Sequence, residues 1–307
     1  MKISILTATY NRGSYLTKLY SSLNQNSKYD IYLEWLIMDD GSTDETKNII
    51  NTFISESKEN QYLEIKYFYQ KNQGKMSAIN NLINYISDDS TLLIECDSDD
   101  YFTNNAIKII SNKYAYIENN NSNIYALCFL KNDDNFCNIG NLFKKDNYET
   151  NMFNLYFKDG LTGDKLLVYL SSIRKQYKYI LEKGEKFCTE ARMFNEIDKK
   201  YNIICFNQPI MICKYLDEGY SKNIKKIFLE NPLGHYEYFK QILNFDMAGV
   251  LLGKRLYAIK HYILFSYLTK QKNLLKNVKG FFNKFLIVVL YVPGIVKSYL
   301  FKNKNSY

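Results

Sequence analysis

Three carboxylates crowd one short turn of this chain, at Asp97, Asp99 and Asp100. The turn follows an apolar run at residues 91–96 that has the length of a buried strand. Carboxylates this close together repel one another unless a cation lies among them. Mg²⁺ and Mn²⁺ prefer oxygen ligands, and magnesium sites commonly combine one or two carboxylates with phosphates and water. The turn therefore indicates a site for Mn²⁺ or Mg²⁺, although Asp-rich turns also occur as plain solvent-exposed loops.

A second acidic loop begins at Asp39, follows another apolar run and precedes a predicted helix. The N-cap of that helix could be Ser42 or Thr43, and capping is the alternative role for Ser42, Thr43 and Asp44. Capping does not explain why Asp39 and Asp40 stand side by side. A carboxylate at this position can accept a hydrogen bond from N3–H of a uracil ring, and the aromatic face of Tyr10, one loop away, can stack on the base.

The elements that position these loops alternate between strand and helix. Apolar runs of strand length lie at residues 3–8, 34–38, 63–68 and 91–96, and helical periodicity lies at residues 14–25, 43–57 and 74–86. Such alternation predicts an α/β fold with a mainly parallel central sheet flanked by helices, in which ligands bind beyond the carboxyl ends of the strands. The polar loops after the four strands are therefore expected to carry the chemistry.

The pattern changes in the second half of the chain. It predicts a helix at 104–119, strands at 124–131 and 136–143, a helix at 189–200, and strands at 203–206 and 210–215. Beyond residue 223 the pattern is helical and basic, without a strand signal. This region is therefore expected to form a separate helical extension.

Charge is distributed unevenly within a net balance of +8. Residues 232–307 carry 12 Lys and Arg against Glu237 and Asp246, or +10, so residues 1–231 carry 28 minus 30, or −2. This asymmetry predicts a cationic arm for an anionic surface, either membrane or nucleic acid, with a solvated helical face as the alternative.

The six cysteines form no Cys-x-x-Cys pair, which favours reduced, mostly buried thiols over zinc ligands. The apolar run after Met1 is too short for a signal peptide, so a cytoplasmic location is expected.

One apolar segment stands out within the basic region. Between Lys284 and Lys297 there are 12 uncharged residues, fewer than the roughly 20 that a helix needs to cross a bilayer. Pro293 and Gly294 are expected to break a helix here. The flanking lysines and aromatic residues favour a segment that lies in the lipid headgroup region. A helix that docks on the protein itself is the alternative.

Four segments, taken together, resemble the successive motifs of family 2 glycosyltransferases. They are residues 6–12, 38–44, 72–80 and 95–100. Their order and spacing fit over about residues 1–105. Residues 163–165, 184–190 and 215–221 show a weaker resemblance to the acceptor half of bacterial enzymes that build capsule or other surface polysaccharides.

The resemblance implies a GT-A fold, a Rossmann-like mixed and mainly parallel sheet flanked by helices, with a C-terminal helical basic extension. Residues 1–222 are expected to form the catalytic domain, with a nucleotide-binding half at 1–105 and an acceptor half at 106–222. Residues 223–307 are expected to form the extension. No counterpart is recognised for the last ~75 residues.

The resemblance also assigns roles to individual residues. Thr9, Tyr10, Asp40 and Lys75 are expected around the nucleotide, and Asp97 is expected to face the ribose or the metal. Asp99 is expected to be the principal metal ligand. Many relatives begin the acceptor-side helix with Glu-Asp, whose Asp is the general base; here the pair reads Thr189-Glu190, so Glu190 is expected to take that role. The alternative for Glu190 is an acid favoured by the helix dipole.

The predicted activity is an inverting transfer of a sugar from a nucleotide diphosphate sugar onto a saccharide or lipid-linked acceptor. The donor is expected to be linked to UDP, because a carboxylate at the Asp40 position suits uracil. The enzyme is expected to use Mn²⁺ or Mg²⁺, to bind no nucleic acid, and to associate peripherally with the inner face of the cell membrane. Two alternatives are a sugar-phosphate nucleotidyltransferase and a non-enzymatic polyanion-binding protein. The first would carry a Gly-rich loop after the first strand, and residues 8–12 contain no glycine. A dinucleotide oxidoreductase is disfavoured because no Gly-x-Gly-x-x-Gly follows a strand.

Overall fold

A computed structural model describes residues 1–28, 30–120, 123–214 and 223–304. The chain divides into two compact units. Unit 1 comprises Met1–Asn151, Leu161–Lys178 and Lys200–Tyr215, and unit 2 comprises Met152–Gly160, Tyr179–Lys199 and Leu216–Tyr307. The predicted domain boundary after residue 222 and the motif at residues 215–221 lie outside the described residues.

Unit 1 is built on a nine-stranded mixed sheet with the order β3-β2-β1-β4-β8-β6-β9-β5, in which β7 also pairs with β9. The strands are β1 (Lys2–Thr9), β2 (Tyr32–Asp39), β3 (Leu63–Tyr69), β4 (Leu92–Glu95), β5 (Tyr101–Phe102), β6 (Ile124–Asp133), β7 (Tyr148–Thr150), β8 (Lys165–Leu170) and β9 (Asn202–Cys213). The first four strands are parallel, and β8 runs antiparallel to both β4 and β6. This architecture confirms the predicted mixed α/β fold.

Helices flank the sheet of unit 1. They are α1 (Gly13–Asn26), α2 (Thr46–Glu56), α3 (Lys75–Leu82), α4 (Ala106–Asn120) and the short α5 (Ser171–Arg174). Strands β1, β2 and β4 are nearly continuous apolar runs because both of their faces are covered. Trp35 at the middle of β2 is fully buried, and its Nε1 donates a hydrogen bond of 3.0 Å to Thr7 Oγ1. The core thus fixes the parallel strands whose ends carry the predicted site.

Unit 2 contains helices and no strand among its described residues. Its helices are α6 (Ala191–Ile197), α7 (Ile224–Glu230), α8 (Pro232–Leu243), α9 (Leu252–Leu268) and α10 (Phe281–Lys304), and a π-helical turn spans Asn154–Lys158. It has an aromatic core of its own, in which Phe239, Tyr262 and Phe265 are buried. The absence of strands in 223–304 agrees with the sequence pattern.

Three local predictions were wrong. Helix α2 begins at Thr46, where Asp44 Oδ1 accepts the Thr46 N–H at 3.0 Å, so neither Ser42 nor Thr43 caps it. The described residues 136–143 form no strand and make only an isolated bridge between Asn132 and Asn138. The two strands predicted at 203–206 and 210–215 are one, because β9 runs without interruption to Cys213.

The predicted helix break at Pro293 is also wrong. Helix α10 continues through Pro293 for 24 residues, and an exposed position allows water to satisfy the carbonyl that proline leaves without a donor. By length and composition alone, Phe281–Asn303 could cross a membrane, and 11% of its most apolar stretch is buried in the protein. By length and composition, the prediction that this segment is too short to span a bilayer is therefore wrong.

Candidate active site

The carboxyl ends of the parallel strands bring the predicted loops side by side. Asp40 N donates to Thr9 O at 2.8 Å, and Gln70 N donates to Asp39 O at 2.9 Å. Cys96 N likewise donates to a carbonyl of β1, Leu6 O, at 2.9 Å. The loops after β1, β2, β3 and β4 therefore meet at one edge of the sheet, as expected for a doubly wound fold.

Asn11 joins the first loop to the second. Its φ of 51° is left-handed, a conformation that Asn tolerates better than most residues. Its N–H donates to Ser42 Oγ at 2.9 Å, and its Oδ1 accepts the Thr43 N–H at 2.8 Å. Tyr10, the preceding residue, is 48% exposed and offers its ring to solvent. Ser42 and Thr43 thus connect two loops and leave an aromatic face available.

Asp40 joins the second loop to the third. Its side chain is buried and accepts hydrogen bonds from Gln70 Nε2 at 2.7 Å, Gln73 N at 2.8 Å and Gly74 N at 2.8 Å. Gly74 has a φ of 93°, which suits glycine and aims its N–H at the carboxylate. A carboxylate has about four acceptor positions, so three bonds leave room for one more donor. Asp40 therefore holds the third loop in place and also lies where the uracil ring of the nucleotide is expected.

Thr9 lies deeper than the sequence suggested. It is buried at the end of β1, and its hydroxyl has no hydrogen-bond partner among the described residues. Asp39 is also buried: its Oδ1 accepts the Ser42 N–H at 2.7 Å, and its Oδ2 accepts a hydrogen bond from Tyr67 at 2.9 Å. Asp39 is therefore a structural carboxylate.

The acidic turn after β4 carries three carboxylates, and each faces a different basic side chain. Asp100 N donates to Asp97 O at 3.1 Å, which closes the turn. The ion pairs are Lys75 Nζ with Asp97 Oδ1 at 2.6 Å, Arg12 Nη1 with Asp99 Oδ2 at 3.3 Å, and Lys131 Nζ with Asp100 Oδ2 at 3.1 Å.

The charges of these three carboxylates are compensated to different degrees. Burial, together with the charges of Asp97 and Asp100, raises the pKa of Asp99 to about 6. Burial opposes ionisation of Asp97, but the Lys75 ammonium lowers the pKa of that carboxyl below its ordinary value. Burial raises the pKa of Asp100 despite the Lys131 ammonium beside it. Among the described residues Asp99 is paired only with the partly exposed Arg12, and it therefore keeps a charge that a further cation would stabilise.

Two basic residues that hold the turn, one half-buried and one fully buried, were not predicted from the sequence. Lys131 lies on β6, and its partner Asp100 also accepts a 3.0 Å hydrogen bond from Cys213 Sγ. Arg174 on α5 is fully buried, and its Nε donates to Glu95 Oε1 at 2.7 Å, two residues before the turn. The order of the strands in the sheet brings residues that are distant in sequence together. No local sequence pattern predicts these two ion pairs.

The donor set fits a divalent cation completed by substrate. Asp97 and Asp99 offer hard carboxylate oxygens, which suit Mn²⁺ and Mg²⁺. Among the described residues, no three His, Cys, Asp or Glu side chains group into a closed metal site. An open set of one or two carboxylates is what a cation bridging to a diphosphate requires.

The proposed base, Glu190, lies in unit 2, whereas the other predicted site residues lie in unit 1. Glu190 is half-buried and immediately precedes α6. Two nearby acids have structural partners: Glu182 pairs with Arg192 at 2.7 Å, and Glu185 accepts the first N–H groups of α8, those of Leu233 and Gly234. Glu185 of the weaker acceptor motif is therefore a helix-stabilising carboxylate.

The sequence profile described as glycosyl transferase family 2 matches residues 4–179, which is more than half of the chain. The chain belongs to glycosyl transferase family 2. A relative named an uncharacterized glycosyltransferase, MG060 of Mycoplasma genitalium, is 27% identical over 247 residues, covering 80% of this chain and 71% of that protein. The minor teichoic acid biosynthesis protein GgaA of Bacillus subtilis is 25% identical over 209 residues, covering 66% of this chain and 45% of GgaA.

Solved structures support the GT-A fold of this family 2 member. S. aureus TarS 1–349 in complex with UDP superposes with a TM-score of 0.59 at 15% identity, covering all of this chain and 93% of that one. A longer TarS structure has a TM-score of 0.60 at 17% identity, and this chain spans 54% of its length. The mannosyltransferase PcManGT of Pyrobaculum calidifontis, in complex with GDP-Man and Mn²⁺, has a TM-score of 0.54 at 13% identity, with coverages of 97% and 83%.

Proposed function

We propose that this glycosyltransferase moves a sugar, with inversion, from a UDP-linked donor to a saccharide or lipid-linked acceptor, and that it requires Mn²⁺ or Mg²⁺. The observation that carries the proposal is the acidic turn after β4, where under-compensated Asp99 lies at the meeting point of four polar loops. Membership of the family supplies the reaction class, and the electrostatics of the turn supply the case for a metal.

The donor is proposed from the first two loops. The exposed ring of Tyr10 can stack on a base, and Asp40 has capacity for one further donor such as N3–H of uracil. Thr9 and Lys75 are proposed to line the same nucleotide site, Thr9 from beneath it. TarS 1–349 has been solved with UDP and with UDP-GlcNAc, which supports a uridine nucleotide here.

The acidic turn is proposed to hold the metal ion that stabilises the diphosphate leaving group. Asp99 would be the principal ligand of Mn²⁺ or Mg²⁺, with Asp97 beside it facing the metal or the ribose. A bound dication supplies Lewis-acid stabilisation of the negative charge that develops on the departing diphosphate. The solved complex of PcManGT with Mn²⁺ supports this choice of ion.

Glu190 is proposed to take the proton from the acceptor hydroxyl. The acceptor oxygen then bonds to the anomeric carbon while the bond from that carbon to the diphosphate oxygen breaks, and the bonding electrons leave with the diphosphate. Because attack and departure occur on opposite faces, a single base suffices and the configuration inverts. Positioned general-base catalysis contributes roughly 10²- to 10⁴-fold.

The acceptor class is proposed from the resemblance to GgaA, whose name refers to teichoic acid biosynthesis. A saccharide or lipid-linked acceptor in the synthesis of capsule or another surface polysaccharide fits that relationship. Such acceptors are met at a membrane, so a membrane-facing surface is expected in the same protein.

We also propose that α10 associates peripherally with an anionic membrane on the cytoplasmic side. The helix buries Asn283, Ile287 and Ser298 at helical spacing but exposes much of its apolar surface, with Phe281 at 87% and Val292 at 70%. Residues 232–307 add a balance of +10, which anionic lipid headgroups would attract.

Flotation with phosphatidylglycerol-containing vesicles tests this part of the proposal. Phe281→Ser together with Val292→Ser should reduce vesicle binding while the protein stays folded. Phe136→Ser is the matched control, because Phe136 is an equally prominent exposed aromatic residue, 72% exposed, in unit 1. Equal binding of the α10 variant and the control would remove the membrane proposal.

The activity itself is tested with purified protein and a panel of nucleotide sugars, by measuring release of nucleoside diphosphate. We expect release from a UDP-linked sugar in the presence of Mn²⁺ or Mg²⁺ and none after chelation. Activity with a lipid-phosphate donor alone, unaffected by chelation, would contradict the assignment of the site.

A further inference from the structure

The three ion pairs of the acidic turn differ in how easily they can be exchanged. Asp100 is buried, the side chain of Lys131 is only 14% exposed, and Cys213 donates to the same carboxylate, so this pair anchors the turn within the sheet. Arg12 instead comes from the loop after β1 and Lys75 is the first residue of α3, and their side chains are 29% and 21% exposed. These two cations can therefore leave their carboxylates without breaking the core.

The Arg12 pair is the looser of the two. One guanidinium nitrogen contacts one oxygen of Asp99 at 3.3 Å, whereas a strong guanidinium–carboxylate pair makes two parallel bonds near 2.8 Å. Arginine carries five N–H donors, so this contact uses a small part of what Arg12 can offer. Arg12 therefore makes one weak contact with Asp99 and keeps most of its donors available for other acceptors.

We propose that Arg12 and Lys75 are exchangeable counter-ions of the metal site. In the free protein they neutralise Asp99 and Asp97; when a divalent cation and a nucleoside diphosphate bind together, the two basic side chains transfer to the diphosphate oxygens. This inference rests on the proposed function and adds a positioning role for Arg12 that the motif resemblance did not assign.

The exchange makes binding of the two ligands cooperative. A divalent cation that binds alone must displace Arg12 and Lys75 from Asp99 and Asp97, and nothing replaces those two ion pairs. A diphosphate that binds alone must draw them away and leave Asp97 and Asp99 uncompensated. When both ligands are present every charge keeps a partner, so each ligand raises the affinity for the other by the same factor.

Arg12→Gln distinguishes this role from the alternatives. Because the competing cation is gone, the Kd of the free protein for Mn²⁺, measured by the EPR signal of unbound Mn²⁺, should fall about three-fold, the scale of a partly exposed ion pair. The Kd for UDP at saturating Mn²⁺, measured by calorimetry, should rise about ten-fold, because a charged phosphate contact is lost. A residue that only supports the fold would weaken both, and one that only contacts phosphate would leave Mn²⁺ binding unchanged.

Lys75→Met is the second variant. As in Arg12→Gln, its Kd for Mn²⁺ should fall and its Kd for UDP at saturating Mn²⁺ should rise. Arg12→Lys should restore most of the wild-type behaviour. Lys71→Gln is the matched control: Lys71 is an exposed cation of the third loop, and none of the described ion pairs involves it, so both constants should change little. Thermal unfolding confirms that each variant is folded.

The outcomes separate this inference from the function on which it rests. If wild-type protein binds no UDP even with Mn²⁺, the proposed function fails. If it binds UDP with Mn²⁺ but folded Arg12→Gln and Lys75→Met bind Mn²⁺ alone no more tightly than wild type, the exchange is wrong. If Mn²⁺ binding to wild-type protein is too weak to detect, the variant that combines Arg12→Gln with Lys75→Met decides the question. Detectable Mn²⁺ binding by this double variant supports the exchange, and no detectable binding overturns it.

Discussion

Glu34 and Asp99 are both substantially buried carboxylates in unit 1, at opposite ends of the parallel strands, and they are compensated in opposite ways. Glu34, near the start of β2, accepts hydrogen bonds from Ser4 Oγ at 2.7 Å, from Ser87 N and Oγ, and from Lys66 Nζ at 3.1 Å. Burial alone would raise the pKa of Glu34, but these bonds lower it. Asp99 receives one guanidinium contact and has a pKa of about 6.

The difference shows what separates a structural carboxylate from one kept for a ligand. A saturated carboxylate such as Glu34 has nothing to offer a cation, and it lowers the free energy of the fold. An under-compensated carboxylate costs stability in the free protein and recovers it when a cation arrives. Unit 2 also contains a structural carboxylate, since Glu185 accepts the N–H groups of Leu233 and Gly234 at the start of α8.

The largest expected effect is at Asp99. Asp99→Asn should lower kcat for UDP release by about 10³-fold, because the metal would lose its principal ligand. Stability should be unchanged or higher by about 1 kcal/mol, since a buried charge that Asp97 and Asp100 repel is removed. Steady-state kinetics and thermal unfolding of the same preparation check both. A stability loss of more than about 2 kcal/mol would place Asp99 with the structural carboxylates.

Glu190 and Glu185 provide the next test. Glu190→Gln should reduce kcat by at least about 10²-fold with an unchanged melting temperature. Glu185→Gln should retain kcat and lose about 1 kcal/mol of stability, because it weakens two bonds to the start of α8. If the two variants exchanged these phenotypes, the assignment of the base would be wrong.

Glu34→Ala should act on stability alone. We expect a loss of about 2–4 kcal/mol in denaturant unfolding, because Ser4 and Ser87 lose this acceptor and Lys66 loses the more buried of its two carboxylate partners. Glu34→Gln keeps the volume and one acceptor, so it should recover about half of the loss. The kcat of the folded fraction should stay within about two-fold of wild type; a selective loss of kcat would break the comparison.

His235 limits the comparison, because it is a buried polar group that is uncompensated and yet far from any acidic loop in sequence. Burial among Phe187, Phe228 and Phe265 lowers its pKa to about 4, and its Nε2 has no partner among the described residues. Because it is neutral at pH 7, its cost appears only in acid.

Stability should therefore depend on pH through His235. The folded pKa of about 4 lies below the ordinary value of 6.5, so the unfolded chain binds more protons and stability falls as pH drops from 6.5 to 4. His235→Phe should remove up to about 3 kcal/mol of that acid loss. Burial shifts the pKa of His261 in the same direction, so a smaller slope should remain. Equal slopes in wild type and variant would contradict this account.

The first hundred residues were predictable because their signals are local. Each parallel strand is a short apolar run, and the loop after it reads as a motif, so the sheet edge and the turn at Asp99 follow from sequence. Strand β8 was missed because its pairing with β4 and β6 is long-range. Lys131 and Arg174 were missed for the same reason, since their partners lie more than 30 residues away in sequence. The predicted helix break at Pro293 was wrong because α10 tolerates a proline within it.

Calorimetric titration of UDP into wild-type protein and Asp99→Asn, each with and without Mn²⁺, tests the central claim most directly. The account predicts that Mn²⁺ strengthens UDP binding to wild-type protein at least about ten-fold and that Asp99→Asn abolishes this gain while the protein stays folded. An equal affinity for UDP with and without Mn²⁺ in wild type, or an undiminished gain in Asp99→Asn, would contradict it.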